Sequence, residues 1–354
     1  MPAPLRVMTL FGTRPEAIKL APVVRALAAA PWVEPVVAVT GQHREMLDQV
    51  VRAFAITPDI DLDLMRHGQG LPELAARAIE AIATALRRVR PNLLLVQGDT
   101  TSAFAGALAG FYEGVAVGHV EAGLRSFSRT DPFPEEINRR LISVTADLHF
   151  APTERARRHL LNEGVPESAV TVTGNTVIDA LLSVTDSAAV AAAPEPPGYD
   201  PAGRLLLVTL HRRESWGEAM MGMCGALRAA LDRHDDLTLL FPMHRNPTVR
   251  TAVTAALGEH PRAHLVEPLD YIDFVKAMLR CHLIVTDLGG IQEEAPALGK
   301  PVLVLRETTS GPEAVEAARP SGGHEPGMVA AAVHELLTEE NVYQGDGPRR
   351  QSLR

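Results

Sequence analysis

Leu5-Arg6-Val7-Met8-Thr9-Leu10-Phe11-Gly12-Thr13-Arg14-Pro15-Glu16-Ala17-Ile18-Lys19 is the stretch that decides the fold. Its apolar run from Leu5 to Phe11 reads as a buried strand. Gly12 ends that run, and a helical period begins at Pro15. Ala17, Leu20, Ala21, Val24, Leu27 and Ala28 fall on one face at that period. Pro15 suits a first helical turn, where its missing N–H costs nothing. A buried strand feeding an amphipathic helix is the opening of a doubly wound α/β domain.

The same alternation continues along the chain. Val36–Thr40, Leu93–Gln97 and Val115–Val120 read as further buried strands, with helices such as Pro15–Ala29 and Leu71–Arg88 between them. Strand–helix–strand alternation implies parallel sheets with helices on both faces. Thr185–Gly203 breaks the pattern with Ala191-Ala192-Ala193-Pro194-Glu195-Pro196-Pro197-Gly198, a composition expected of a linker or hinge. A second series follows: Arg204–Leu210, Leu237–Phe241, His264–Val266, His282–Thr286 and Pro301–Leu305. The expected fold class is α/β, with two Rossmann-like doubly wound domains. The expected division is an N-terminal domain over 1–184, a linker over 185–203, a C-terminal domain over 204–340 and a polar tail over 341–354. Ligands of such sheets bind beyond the carboxyl ends of the strands. Two facing domains would place that crevice between them.

Composition narrows the function. The 354 residues fit about two domains at roughly 150 residues each. A net charge of −9 with no long basic block argues against nucleic acid as partner. Two cysteines, Cys224 and Cys281, exclude a disulfide framework and suit a reducing cytoplasm. No apolar run is long enough to span a membrane, and the apolar start is too short for a secretory signal. No His-Glu-x-x-His or Cys-x-x-Cys spacing occurs, so no metal site is expected.

Chemistry-bearing residues collect where strands end. In Gly12-Thr13-Arg14-Pro15-Glu16-Ala17-Ile18-Lys19, free N–H groups at a helix start favour an anion, and Arg14 and Lys19 add cations. An ordinary turn with solvated charges explains that segment equally well. Asp99 follows Leu93–Gln97, and Glu121 follows Val115–Val120 in His119-Val120-Glu121-Ala122-Gly123. Glu135 and Glu136 open a helix in Pro134-Glu135-Glu136-Ile137-Asn138-Arg139-Arg140. Taken singly, Asp99 is explained as an N-cap and the Glu pair as dipole complement. Acids at successive junctions of one sheet point together to acid–base work. In the second half, Thr209-Leu210-His211-Arg212-Arg213-Glu214-Ser215 sets a His and two Arg at a strand end. Thr286-Asp287-Leu288-Gly289-Gly290-Ile291-Gln292-Glu293-Glu294 sets two glycines at a helix start, where backbone N–H groups can approach a phosphate.

At these residues the chain resembles the non-hydrolysing UDP-N-acetylglucosamine 2-epimerases. The matching stretches are Gly12–Pro22, Thr40–Gln49, Asp61–Gln69, Gln97–Ser102, His119–Ser126, Asp131–Arg140, Thr173–Asp179, Val208–Ser215, Phe241–Pro247 and Thr286–Glu313, in that order over most of the chain. The resemblance implies the GT-B type of fold, with a cleft between two Rossmann-like domains. It implies interconversion of UDP-GlcNAc and UDP-ManNAc, through elimination of UDP to 2-acetamidoglucal and re-addition, without a cofactor. By motif, Asp99, Glu121 and Glu135 become the acid–base candidates, and His211 stabilises or protonates the leaving diphosphate. Arg14 and Lys19 match UDP-contacting positions, Gly289 and Gly290 the phosphate loop, Glu294 a ribose contact and Phe274 a uracil contact. Gln42, His43, Arg66 and Arg212 resemble a second, allosteric UDP-GlcNAc site. A cytoplasmic homodimer is implied as well.

Some positions depart from the family pattern. Leu288 stands where the phosphate loop usually has Ser. Gly311 stands where Thr-Thr-x-Arg-Pro-Glu has Arg, and Leu269 replaces a Gln near the uracil. Beyond Glu316, Ala317-Ala318-Arg319-Pro320-Ser321-Gly322-Gly323 replaces a glycine-valine strand region, and a final helix returning to the first domain is expected to be short or absent. These changes predict a weaker hold on UDP with the acid–base set intact. Rival readings are a hydrolysing relative releasing ManNAc, a GT-B glycosyltransferase, an epimerase for a modified UDP-sugar, and a nucleotide-sugar-binding protein with weak turnover.

Overall fold

The computed structural model describes residues 3–41, 50, 53–66, 68–210, 217–305, 319–320 and 326–338. The chain divides after Ala180 into two compact units.

Among the described residues of the first unit, seven parallel strands form one sheet. In chain order they are β1 (Leu5–Phe11), β2 (Val33–Val39), β3 (Ile60–Asp61), β4 (Leu93–Gln97), β5 (Ala116–Val120), β6 (Leu148–Ala151) and β7 (Val170–Val172), arranged β3-β2-β1-β4-β5-β6-β7. The order turns back at β1, so β4 lies against β1 although some eighty residues separate them, with Val7 opposite Leu93. That junction is the switch point of a doubly wound sheet, where loops from opposite directions leave a crevice at the carboxyl edge. Helices α1 (Arg14–Ala29), α2 (Leu71–Val89), α3 (Thr101–Tyr112) and α4 (Glu135–Thr145) follow strands at that edge, and α5 (Glu154–Asn162) follows β6. Met8, Leu10 and Leu94 from the sheet pack with Ile82, Leu86 and Ile142 from the helices. Apolar strands and one-sided helices are what this two-sided burial requires.

The sequence reading takes this strand as Val36–Thr40; the structure forms it over Val33–Val39, running through Pro35. Val37 N–H points away from β1, to an Asp59 carboxylate oxygen at 2.8 Å. With period two, position 35 faces the same way, and β3 pairs only with Ala38 and Val39. No ladder bond is lost where proline lacks its N–H. The short strands β6 and β7 went unread in the sequence, since four- and three-residue runs carry too little pattern.

In the second unit the described strands are β8 (Arg204–Thr209), β9 (Leu237–Pro242), β10 (Ala263–Val266), β11 (Leu283–Thr286), β12 (Val302–Val304) and β13 (Arg319–Pro320), ordered β10-β9-β8-β11-β12-β13 and parallel. The switch point lies between β8 and β11. The helix Glu218–Arg233 and the later helix Pro326–Thr338 pack together, burying Met223, Leu227, Val329 and Val333. A late helix is therefore present as far as Thr338 and belongs to this core. The predicted tail over 341–354 lies outside the described residues.

The stretch read as a linker is corrected in part. It contains a helix, Ala188–Ala192, with Val190 buried. Lys276 Nζ donates to Val190 O at 3.3 Å, and Glu195 holds Arg280 at 2.7 and 2.8 Å. Thr238 Oγ1 donates to Gly198 O at 2.8 Å. Ala, Pro and Gly content signals little regular structure, but it carries no information about the partners that dock such a segment onto a neighbouring helix and strand.

Candidate active site

Three carboxylates meet at the carboxyl edge of the first sheet. Asp99 sits in the turn after β4, Glu121 directly after β5, and Glu135 at the start of α4. Glu121 and Glu135 are close enough to Asp99 to disfavour its charge, while Arg139 and Lys19 favour it. The pairing of β4 with β5, Gln97 opposite Val120, brings the first two acids together.

Asp99 is held from several sides. Arg139 Nη1 donates to Asp99 Oδ2 at 2.7 Å, and Asn138 Nδ2 donates to Asp99 O at 2.9 Å. His119 Nε2 donates to Gly98 O at 2.7 Å, pinning the preceding residue to β5. Burial raises the Asp99 carboxyl above its ordinary value, and Arg139 opposes this. The side chain is 30 % exposed, so the push comes from crowding on most sides rather than full enclosure. Burial also lowers His119 to about 3, so its ring stays neutral and keeps that donor role near neutral pH.

Glu121 has φ +65, a left-handed backbone uncommon for a side-chain-bearing residue. Lys19 Nζ reaches both of its carboxylate oxygens at 2.6 Å, and Gln97 Nε2 donates to Oε2. The loop that follows is clamped to α5. Gly123 passes so close to that helix that an added Cβ would overlap Ala156 O. Arg125 is buried and forks onto Glu163 at 2.6 and 2.8 Å, with Ser143 Oγ at 2.9 Å.

The structure separates the adjacent acids of α4. Glu136 is fully buried and structural: it accepts Ser126 N at 2.9 Å and Arg140 Nε at 3.0 Å, and stands 3.4 Å from Arg139 Nη2. Glu135 has a buried oxygen, Oε2, with no hydrogen-bond partner. One acid is spent on the fold, and its neighbour keeps an oxygen that no hydrogen bond engages.

The expectation of free N–H groups after β1 is corrected. Glu16 folds back over that turn, and its Oε2 accepts Gly12 N at 3.0 Å and Thr13 N at 2.7 Å. Its Oε1 accepts Thr100 Oγ1 at 2.5 Å. The chain's own carboxylate thus occupies these donors, because Glu at the third helical position reaches back to the N-cap. Burial raises the Glu16 carboxyl, with those hydrogen bonds pulling the other way. Gly12 is required by close packing, since a Cβ there would run into Thr40 Oγ1 and Ser102 Oγ. Arg14 is half-buried at the helix start.

In the second unit, Leu288 is the N-cap of the helix Gly289–Ala297 and provides no side-chain cap. Leu288 N instead donates to Thr286 Oγ1 at 2.9 Å, and that hydroxyl accepts Thr209 Oγ1 at 2.7 Å, joining β11 to β8 at the switch point. Gly290 is exposed, Gly289 and Phe274 are half-buried, and Glu294 is buried. Arg66 is exposed. His211, Arg212, Gln42, His43 and Gly311 lie outside the described residues. Among the described residues there is no cluster of three metal-ligating side chains, and no helix is long and apolar enough to cross a membrane. Cys224 and Cys281 are buried, and burial pushes both thiols up to about 12.

Glu16, Gln97, His119, Asn138 and Arg139 were not singled out from the sequence. Each lies inside or beside a motif that carries an acid, and that adjacency was the available signal.

Each of the two units is a doubly wound parallel sheet with a switch point; three carboxylates gather at the edge of the first, and a glycine-led helix starts at the second. The family model for UDP-N-acetylglucosamine 2-epimerase matches residues 25–351, and the chain belongs to that family. The UDP-N-acetylglucosamine 2-epimerase of Escherichia coli (strain K12) is 48 % identical over 347 residues, covering 96 % of this chain and 92 % of that one. That of Bacillus subtilis (strain 168) is 47 % identical, covering 96 % and 89 %. The solved structure of the Neisseria meningitidis UDP-GlcNAc 2-epimerase, bound to UDP-GlcNAc, matches with TM-score 0.90 at 41 % identity, covering 97 % and 94 %.

Proposed function

We propose that this protein interconverts UDP-GlcNAc and UDP-ManNAc as a non-hydrolysing 2-epimerase. The observation that carries the reading is the convergence of Asp99, Glu121 and Glu135 on one sheet edge, with Lys19 and Arg139 among them. The sugar C2 proton is not next to a carbonyl, so direct removal is hard. Elimination avoids this. A carboxylate takes the C2 proton, the C–H electron pair becomes the C1–C2 double bond, and the C1–O bond breaks to release UDP. Re-addition with a proton delivered to the opposite face inverts C2. That sequence needs acid–base groups reaching both faces of one ring. Glu121, contacted by donors on both oxygens, suits the acceptor role. Asp99, whose protonated form is favoured by crowding, suits the donor role.

The diphosphate requires cations and N–H donors. We assign it to Arg14, His211 and the Gly289-Gly290 helix start, with Glu294 on the ribose and Phe274 on the uracil. Lys19 joins them only as far as its bond to Glu121 allows. Gln42, His43, Arg66 and Arg212 are proposed to form the second UDP-GlcNAc site. The reading places the enzyme in the cytoplasm as a homodimer, which light scattering on the purified chain checks.

Incubation with UDP-GlcNAc in deuterated water tests the proposal. UDP-ManNAc carrying deuterium at C2 is expected. Free ManNAc in its place transfers the chain to the hydrolysing reaction, and no exchange by folded protein rejects the reading.

A further inference from the structure

Strand β4 ends in a residue unlike the rest of it. Leu93 to Val96 are apolar, whereas Gln97 carries a primary amide into the interior at 3 % exposure. Burying an amide is unfavourable unless it is hydrogen-bonded. Its Nε2 is bonded to Glu121 Oε2, on the neighbouring strand's exit. Gln97 lies opposite Val120, and Gly98 N donates to Val120 O at 3.0 Å, so the two strand ends are in fixed register.

We propose that Gln97 is a positioning residue that selects which oxygen of Glu121 exchanges protons. The proposal rests on the reading of Glu121 as an acid–base group. A carboxylate offers about four acceptor sites, two on each oxygen. Lys19 Nζ lies 2.6 Å from both oxygens, so by itself it treats them alike. A flexible lysine stem also leaves the carboxylate plane free to rotate. Gln97 breaks the symmetry from a rigid strand end. With it, Oε2 is filled by two donors and Oε1 by one, leaving the open acceptor site on Oε1. Glu121 meets this double grip from a left-handed backbone, φ +65. Because the amide is neutral, it orders the carboxylate without adding a second positive charge to hold it.

Two measurements on the full-length protein test this. The first needs no turnover: 15N–1H spectra of the side-chain amides, with Gln97 assigned by its loss in Gln97→Met. A Gln97 proton shifted downfield in the wild type, returning to the ordinary position in Glu121→Ala, is expected. An ordinary position unmoved by Glu121→Ala overturns the proposal. The second is kinetic. Gln97→Met is expected to lose about tenfold or more in kcat, as one hydrogen bond to a charged group implies, with KM and UDP affinity within about twofold. In the Glu121→Gln background the same substitution should cost nothing further, since both act through one carboxylate. Unchanged kcat in Gln97→Met, or a loss that adds fully to that of Glu121→Gln, overturns the proposal. Gln97→Glu, equal in size but lacking the donor, is expected to lose at least as much as Gln97→Met; full activity there also overturns it. If the wild type itself leaves UDP-GlcNAc unchanged, the epimerase reading fails, and the amide spectrum alone decides whether Gln97 grips Glu121.

Discussion

Replacing Gly123 by Ala puts a methyl group where the loop carrying Glu121 touches α5. Gly123 has φ +89, and the new Cβ would overlap Ala156 O, stand 2.8 Å from Ala156 C and 3.0 Å from Leu160 Cγ. Carbon atoms in good contact sit about 3.5–4.0 Å apart, so the loop must retreat by about 1 Å. Ala156 contributes backbone of a formed helix and cannot yield as a side-chain tip does. Two costs add: about 1–2 kcal/mol for left-handed backbone with a Cβ, and about 1–3 kcal/mol for overpacking. Total destabilisation of about 2–5 kcal/mol is expected from these terms. Glu121 lies two residues upstream, and a misplacement of about 1 Å at a reacting group can cost about a hundredfold in rate. Urea unfolding reads the first effect and C2 deuterium incorporation the second. Gly114→Ala is the control. It has φ +66 with nothing within 4 Å of an added Cβ, and it precedes β5 at the opposite edge of the sheet. It should show only the backbone cost, about 1–2 kcal/mol, and normal turnover. Gly123→Ala with both the stability and the rate of the wild type would refute the clamp.

Further outcomes follow from the ionisable groups and from Leu288. The raised pKa of Asp99 means that the native state holds this proton more tightly than the unfolded chain; the stability it contributes is complete below about 3.8 and is lost as pH rises through the raised value. Asp99→Asn should therefore gain stability relative to wild type from pH 4 to pH 7 while losing orders of magnitude in turnover; equal urea midpoints at both pH values would contradict this. His119 is the opposite case: lowered to about 3, it contributes stability that is present above about 6.5 and lost as pH falls through 6.5 toward 3. His119→Gln should flatten the acid decline in melting temperature over that window, and an unchanged slope counts against the assignment. Leu288→Ser should cap the Gly289–Ala297 helix, adding about 1 kcal/mol in thermal unfolding, and should tighten UDP in calorimetry. Affinity left unchanged by the new hydroxyl would show that Leu288 does not weaken UDP binding.

The individual elements were legible because burial writes a local pattern. The bounds of β1 and β4 are those read from their apolar runs, and α1 differs by one residue at its start. Asp99, Glu121 and Glu135 were legible as acids at strand–helix junctions. Their partners were not. Arg139 is forty residues from Asp99 and Lys19 about a hundred from Glu121, and no local period links residues so far apart. The sequence also offered a helix start suited to an external anion, while the folded chain filled it with Glu16.

By itself, then, the amino-acid sequence determined a two-fold run of buried strands and amphipathic helices, and the chemical types placed at their junctions. Hydrophobic period is a property of each segment, so it survives without knowledge of neighbours. Tertiary structure alone decided that β4 lies beside β1, and that Glu136 is spent on Arg140 and Ser126 while Glu135 keeps an unpartnered oxygen. It also decided that Lys19 and Gln97 grip Glu121. The reason is that strand order and side-chain pairing depend on which distant surfaces bury one another, and a carboxylate's role is set by the donors it meets there.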